Sequence, residues 1–170
     1  MSLVRPATVE DLASINHIYN YYVASTHITF DEEAWSAQQR TAWFEKLRDS
    51  PYDLLVCEHD KVVVGFAYSS AFRPKTAYNR SAEVTIYTDQ KLAPKGAGTQ
   101  LYQVLIERAE HKFHRLYAVI ALPNTASLGL HEKLGFQKVG QMNDVGYKFG
   151  AYHSVALLEK RLQSTEYCPL

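Results

Sequence analysis

Two glycines one residue apart stand between a β-rich run and a helical pattern. They are Gly96 and Gly98, and Lys95 precedes them. Because glycine has no side chain, the backbone N–H groups of such a turn and the positive end of the following helix can approach a phosphate closely. Glycines also make tight turns where no ligand binds. The spacing therefore predicts a phosphate site and leaves a purely structural turn as the alternative.

An acidic residue lies in a run whose side chains alternate between polar and aliphatic. In residues 82–88 this alternation places Glu83 on the polar face of a predicted strand. A carboxylate projecting from a sheet either takes part in chemistry or forms a structural ion pair, here with Arg73 or Arg80.

A histidine pair also has spacing that suits a metal. His111 and His114 share one flank of a predicted helix with Glu107. The pattern supplies no fourth ligand, and this flank is expected to face solvent. We therefore expect no metal site.

The elements that position these residues begin with two helices. Apolar residues recur at three- and four-residue spacing over residues 11–22, which predicts an amphipathic helix capped by Thr8. The polar stretch 24–34 around Phe30 predicts a loop. A second helix carrying Trp43 is expected to end before Pro51.

Strands dominate the rest of the chain. Residues 54–58 and 62–69 predict a hairpin, and the continuous apolar run 117–122 is typical of a parallel strand covered on both faces. With the helix after Gly98, residues 82–122 form a βαβ unit. The remaining elements are an extended start at 4–7, a helix that opens at Asn124 and ends at Gly135, and closing strands at 136–139 and 151–158.

Composition excludes several classes of protein. The 170 residues are 46% hydrophobic and 21% charged, with 18 basic against 18 acidic side chains. A neutral chain lacks the basic surface that nucleic-acid or anionic-membrane binding needs, so neither partner is expected. Two cysteines, Cys57 and Cys168, are too few for a disulfide framework, and no segment is apolar enough to span a bilayer. These features favour a cytoplasmic protein.

The order and type of these motifs resemble the Gcn5-related N-acetyltransferase (GNAT) superfamily, and within it the phosphinothricin acetyltransferase group. The resemblance covers residues 4–162 and rests on the glycine loop, the asparagine at the next helix start and several short segments. These segments are Ile18-Tyr19-Asn20-Tyr21-Tyr22-Val23, Ala77-Tyr78, Ala82-Glu83, Ile86-Tyr87, Leu122-Pro123-Asn124, Leu130-His131-Glu132, Leu134-Gly135-Phe136 and Val145-Gly146-Tyr147-Lys148-Phe149-Gly150.

The resemblance implies a binding mode for acetyl-CoA. The pyrophosphate would lie on backbone groups of the glycine loop, and the pantetheine arm would pair with a strand edge and contact the next helix start. The family pattern has Gln or Arg three residues before the first glycine, where this chain has Ala93, so Lys91 or Lys95 would have to replace that contact. The residues assigned to the co-substrate are Lys95, Gly96, Ala97, Gly98 and Thr99 for the phosphates, and Ile86, Tyr87, Thr88, Asn124 and Ser127 for the arm.

Two side chains match the family's proton-transfer positions. Glu83 would be the general base that takes a proton from the acceptor ammonium. His131 stands where many members of the superfamily have a tyrosine that protonates the departing thiolate. The alternative for His131 is a core histidine whose ring is satisfied by a backbone carbonyl. For Asn124 the alternative to pantetheine binding is helix capping, and both can hold together.

The resemblance further implies an acceptor with a primary amine. Arg73 would bind a carboxylate or phosphinate of that acceptor, and Phe30, Tyr78 and Tyr87 would line its pocket. Phosphinothricin and methionine sulfoximine or sulfone are the expected acceptors. A protein N-terminus or a polyamine is an alternative acceptor, and an acyl-CoA-binding module without turnover is an alternative of another class.

The fold expected from the resemblance is α/β. It has a mixed seven-stranded sheet that is splayed at the cofactor site and flanked by about four helices. A single domain over residues 1–170 and a homodimer complete the expectation.

Overall fold

In a computed structural model of the chain, which describes residues 2–162, one seven-stranded sheet is flanked by four α-helices. Cys168 lies outside the described residues. The helices are α1 (Leu12–Ser25), α2 (Ala37–Arg48), α3 (Ala97–Ala109) and α4 (Thr125–Lys133). The strands are β1 (Ser2–Pro6), β2 (Leu54–His59), β3 (Val62–Ala71), β4 (Ser81–Thr88), β5 (Arg115–Ala121), β6 (Gln137–Lys148) and β7 (Ala151–Arg161).

The sheet is mixed and opens in its middle. Its strand order is β1-β2-β3-β4-β5-β7-β6, and among these strands of residues 2–162 only β4 and β5 are parallel neighbours. These two strands pair over three residues each, from Ser81 opposite Arg115 to Glu83 opposite Tyr117, and then separate. The predicted α/β architecture with a splayed, mixed sheet is confirmed.

The prediction for residues 117–122 was wrong in part. β5 is parallel to β4 only at its beginning and is antiparallel to β7 along its whole length. Val119 is 39% exposed, so the strand is not covered on both faces. Because β4 diverges from β5, the middle of β5 faces an open cleft, and a local apolar run cannot reveal that divergence.

Each face of the sheet has its own apolar core. Val84 of β4 packs with α3 residues such as Leu101 on one face, whereas Tyr87 packs beside α1 residues such as Ile15 on the other. The alternation predicted for residues 82–88 is therefore confirmed. Burial of each aliphatic side chain stabilises the fold by about 1.5–3 kcal/mol.

Local capping explains where the first helices begin and end. Ser36 caps α2 and accepts a hydrogen bond from the Gln39 backbone, and α2 ends at Arg48, before Pro51 as predicted. Thr8 caps a short 3-10 turn, Val9–Asp11, rather than α1 itself. The expected start of the first helix was therefore slightly wrong, because the Asp11 carboxylate is held by Arg5 and by the Thr8 backbone.

The closing hairpin is much longer than predicted. β6 runs for 12 residues, whereas the sequence indicated a strand only at 136–139. Its register shifts at Lys138/Gly140 and again at Met142/Gly146, and Asp144 has a positive φ of 51°. These bulges break the simple alternation that signals a strand.

None of the helices within residues 2–162 is long and apolar enough to cross a membrane.

Candidate active site

A cleft opens where β4 and β5 separate. Its walls are formed by residues 84–87 of β4 and 118–121 of β5, and Ile28, Asn124 and His131 line it as well. Within the described residues, β4 keeps its pairing with β3 up to Thr88 but has no strand partner on its other edge beyond Glu83. This free edge is where an extended ligand can add like a further strand.

The glycine loop lies at the far end of that free edge. Gly96 has a φ of 93°, a conformation that favours glycine, and α3 begins at the next residue. A Cβ atom placed on Gly98 would lie 3.5 Å from Thr88 and 3.8 Å from Ile86, so the loop borders β4. The edge of β4 therefore leads to a helix N-terminus with exposed backbone, as a pantetheine followed by a pyrophosphate requires.

The other predicted phosphate contacts lie around this loop. Lys91 and Lys95 are both exposed, and Lys95 directly precedes the loop. Ala93 packs partly buried against the core, and its methyl side chain cannot form a hydrogen bond with a phosphate. Thr99 lies in the first turn of α3, where backbone N–H groups have no helical partner.

Glu83 lies where the two strands part. It is the last residue of β4 that pairs with β5, and the structure shows no hydrogen bond to its carboxylate from the described residues. Burial raises the pKa of Glu83, and the nearby Arg73 guanidinium opposes this only in part. A carboxylate with a raised pKa and an open neighbouring cleft can accept a proton from an amine.

His131 is buried in the wall of the cleft and has partners at both ring nitrogens. Nδ1 lies 2.7 Å from the Ser127 carbonyl, and Nε2 lies 2.9 Å from the Tyr102 hydroxyl. Because a carbonyl only accepts, Nδ1 carries the proton, and Nε2 of the neutral ring accepts from Tyr102. Burial lowers the pKa of His131, which favours this neutral form. The alternative of a core histidine that is satisfied by a backbone carbonyl is therefore what the structure shows. For His131 to donate a proton to sulfur, Nε2 would have to be protonated.

Asn124 caps α4 and lines the cleft at the same time. Its side-chain oxygen accepts a hydrogen bond of 3.1 Å from the Ser127 backbone. The capping alternative is therefore correct, and the amide nitrogen of Asn124 has no hydrogen-bond partner in residues 2–162. Ser127 lies one turn before His131, and its hydroxyl is 3.4 Å from Nδ1.

The four predicted acceptor residues lie in three places. Arg73 and Tyr78 lie on the exposed segment before β4, where both contact Phe72. Tyr87 is packed between Tyr19 and Tyr22 of α1.

The fourth, Phe30, lies on the connection between α1 and α2. No hydrogen bond or ring contact within residues 2–162 joins Phe30 or Tyr87 to Arg73 or Tyr78. The charge of Arg73 acts on the pKa of Glu83, and Glu83 lies on the same face of β4 as Tyr87.

Two residues of this region were missed by sequence reasoning. Tyr102 has the spacing of an apolar residue of α3, so its hydrogen bond to His131 was not foreseen. Lys148 was noted only within a glycine-rich segment, yet its side chain is 1% exposed. In each case the structure buries a side chain that carries a polar group.

Glu107, His111 and His114 were the residues with spacing that suits a metal. Within residues 2–162 no three His, Cys, Asp or Glu side chains are arranged to hold a metal ion.

Comparisons with known proteins agree with this geometry. The family model described as "Acetyltransferase (GNAT) domain" matches residues 4–156. A phosphinothricin N-acetyltransferase of Streptomyces coelicolor is 41% identical over 94% of this chain and 95% of its own length. An L-methionine sulfoximine/L-methionine sulfone acetyltransferase of Pseudomonas paraeruginosa is 36% identical over 98% of both chains.

A solved structure is also similar over nearly the whole chain. It is a GNAT superfamily phosphinothricin acetyltransferase from Sinorhizobium meliloti in complex with AcCoA. The TM-score is 0.93 at 31% identity, covering 99% of this chain and 93% of that chain.

Proposed function

Since the chain belongs to the GNAT acetyltransferase family and is an acetyl-CoA-dependent N-acetyltransferase, we propose that it acetylates the α-amine of small amino-acid-like compounds. Phosphinothricin and methionine sulfoximine or sulfone are the first candidates. The observation that carries the proposal is Glu83, a half-buried carboxylate at the fork of β4 and β5 that is influenced by the charge of Arg73. A base for an ammonium and a cation for a carboxylate together suit an amino acid.

The residues along the fork fit acetyl-CoA. The edge of Ile86 and Tyr87 faces the cleft, the glycine loop adjoins its end, and the Asn124 amide nitrogen projects from the start of α4. When bound, acetyl-CoA supplies the thioester whose acetyl group is transferred. The protein residues orient that group and bind its phosphates through backbone N–H groups.

Glu83 removes the proton that makes the acceptor unreactive. An α-ammonium must become an amine before its nitrogen can attack a carbonyl carbon. The carboxylate takes this proton directly or through one water molecule. The amine then attacks the thioester carbon in the ternary complex, and the new C–N bond replaces the C–S bond, so that CoA departs as the thiolate and the nitrogen gives up a second proton to become an amide. The raised pKa of Glu83 is closer to the pKa of the amine, so proton transfer from the ammonium to the carboxylate is less unfavourable.

His131 accounts for the proton that the departing thiolate needs. In the neutral form Nε2 accepts from Tyr102. For the ring to donate to sulfur, Nε2 would have to be protonated and exchange the Tyr102 hydroxyl for the thiolate. His131 lines the open cleft, so solvent that enters the cleft can supply that proton.

A panel of acceptors tests the proposal. CoA release would be measured with phosphinothricin, methionine sulfone, ordinary amino acids, their decarboxylated amines, spermidine and a peptide with a free N-terminus. We expect the amino-acid-like compounds to have the highest kcat/KM. The Arg73→Ala variant should raise the acceptor KM by at least about tenfold and lose the preference for amino acids over their decarboxylated amines.

A matched variant and a binding measurement separate the outcomes. Arg48→Ala removes an exposed guanidinium from α2 and should leave the acceptor KM unchanged. Acetyl-CoA affinity should be the same in both variants. Preferential turnover of spermidine or the peptide would assign one of those acceptor classes instead, and acetyl-CoA binding without any turnover would indicate a binding module.

Two further features belong to the proposal. The apolar side chains exposed on β6 and β7 are suited to burial against a second copy, so the protein would act as a homodimer. We place it in the cytoplasm because Cys57 is a buried free thiol and acetyl-CoA is an intracellular metabolite. Cells that express it would tolerate phosphinothricin, since acetylation removes the α-ammonium of the compound.

A further inference from the structure

A lysine from the end of β6 is buried under the connection between α1 and α2. The side chain of Lys148 is 1% exposed, and its ammonium donates to two backbone carbonyls. The acceptors are Val23, at 2.8 Å, and Thr29, at 2.9 Å. The Lys148 ammonium therefore joins the two ends of the segment 23–29. This segment lies 119 or more residues before Lys148 in the chain.

The first of these carbonyls belongs to the end of a helix. Val23 lies in the last turn of α1, where carbonyls have no partner within the helix and carry partial negative charge. A buried ammonium satisfies that group and the Thr29 carbonyl together. Asp31 and Glu32 lie near enough to favour the charged form of Lys148, although burial lowers its pKa.

The second carbonyl belongs to the residue directly before Phe30. The Phe30 ring lies over Gly146, two residues before Lys148, and occupies the space that a side chain at Gly146 would need. Phe30 is 37% exposed, so this ring presents a surface to solvent rather than filling a core. Lys148 and Gly146 thus hold the backbone and the ring of one short segment.

A third contact ties the same segment to the cleft. His27 stacks on His153 of β7 with ring centroids 4.8 Å apart, and its Nε2 lies 2.9 Å from the Pro123 carbonyl. Pro123 directly precedes Asn124, the cap of α4 in the cleft wall. The segment that carries Phe30 therefore contacts both the hairpin of β6 and β7 and the residue that precedes the cap of α4.

We propose that Lys148 is a positioning residue for the acceptor. Its ammonium holds the Thr29 carbonyl, and Phe30 is thereby kept on Gly146 as a wall of the acceptor pocket. The hairpin of β6 and β7 would then set the shape of the acceptor pocket without contacting acetyl-CoA. This inference rests on the proposed function in one respect, the placement of Phe30 beside the acceptor.

Steady-state kinetics with phosphinothricin test this role. Lys148→Met keeps the length of the side chain and removes its donors. We expect the acceptor KM to rise at least about tenfold while the calorimetric Kd for acetyl-CoA changes less than about twofold. Lys46→Met, which removes an exposed lysine of α2, is the matched control and should change neither quantity.

A double-mutant cycle shows whether Lys148 acts through Phe30. In a Phe30→Ala background, Lys148→Met should add little to the acceptor KM, because the wall that it positions is already gone. Additive effects in the cycle would overturn the inference. A Phe30→Ala effect without any Lys148→Met effect would overturn it as well, whereas an unchanged KM in Phe30→Ala would contradict the proposed acceptor pocket itself.

A second variant applies if Lys148→Met does not fold. Gly146→Ala leaves Lys148 intact and displaces the Phe30 ring from the opposite side. It should raise the acceptor KM at least about fivefold and change the ranking of amino-acid substrates. Gly140→Ala lies on the same strand with open space around it and should have no effect. Equal kinetics in the Gly146 and Gly140 variants would count against the inference.

Discussion

Glu83 is the residue on which the proposed proton transfer depends. At neutral pH, Glu83→Gln should reduce kcat on the order of a hundredfold, because an amide cannot accept the ammonium proton. The loss should shrink as the pH approaches the pKa of the amine, since free amine then forms without a base. Stopped-flow or steady-state CoA release between pH 6 and 10 would measure both effects.

The pH profile of the parent protein should agree with the same assignment. Burial raises the pKa of Glu83, so the acidic limb of kcat/KM should lie above the pH at which an exposed glutamate titrates. Activity is expected to fall as the pH drops through that raised pKa and the carboxylate becomes protonated. Glu107→Gln, at an exposed position of α3, is the control. Wild-type turnover in Glu83→Gln would return Glu83 to a structural role.

At the scale of the element, the glycine loop joins β4 to α3 and brings exposed backbone to the free edge of the strand. Gly98→Val should weaken acetyl-CoA binding at least about tenfold, or about 1.4 kcal/mol, because a branched side chain would occupy the space that the phosphates need. Its Cβ atom makes only ordinary contacts with Thr88 and Ile86, so the fold should tolerate the change. Titration calorimetry measures the affinity.

A valine elsewhere separates the loop from a general effect of substitution. Gly140→Val places the same side chain on β6, where nothing lies within 4 Å of the added Cβ atom. Its affinity for acetyl-CoA should equal that of the parent protein. If Gly98→Val folds and binds acetyl-CoA with parent affinity, the loop is not part of the site.

At the scale of the whole molecule, the proposed dimer predicts how the chain associates. Val139 and Met142 are 49% and 45% exposed on β6, and Tyr152 is 68% exposed on β7. Sedimentation velocity should give a species of twice the 19.3 kDa chain mass. Met142→Asp should shift it toward the monomer, because a charge would be buried without a partner.

The control for association is an exposed apolar residue far from that hairpin in the sheet order. Val62, at the start of β3, is 48% exposed, and Val62→Asp should leave the dimer unchanged. A parent protein that sediments as a monomer at micromolar concentration would remove the dimer from the proposal. The single-domain assignment for residues 1–170 stays a prediction, since the described residues end at 162.

Local rules account for the features that the sequence predicts correctly. The alternation in β4 places Glu83 and Val84 on opposite faces whatever the rest of the chain does, because successive side chains of a strand point to opposite sides. Gly96 and Gly98 mark the turn into α3, and Asn124 marks the start of α4, through conformational freedom and capping. These preferences depend on a few neighbouring residues, so the sequence alone contains them.

Only the tertiary structure decides the features that join distant parts of the chain. Lys148 binds the Val23 carbonyl across 125 residues, and Tyr102 binds His131 across 29. The divergence of β4 from β5 after Glu83 likewise depends on what packs against both strands. The sequence by itself determined the element types, the glycine loop and the family resemblance. It did not determine how His131 is protonated or what holds Phe30, because these depend on the packing of side chains from separate elements in three dimensions.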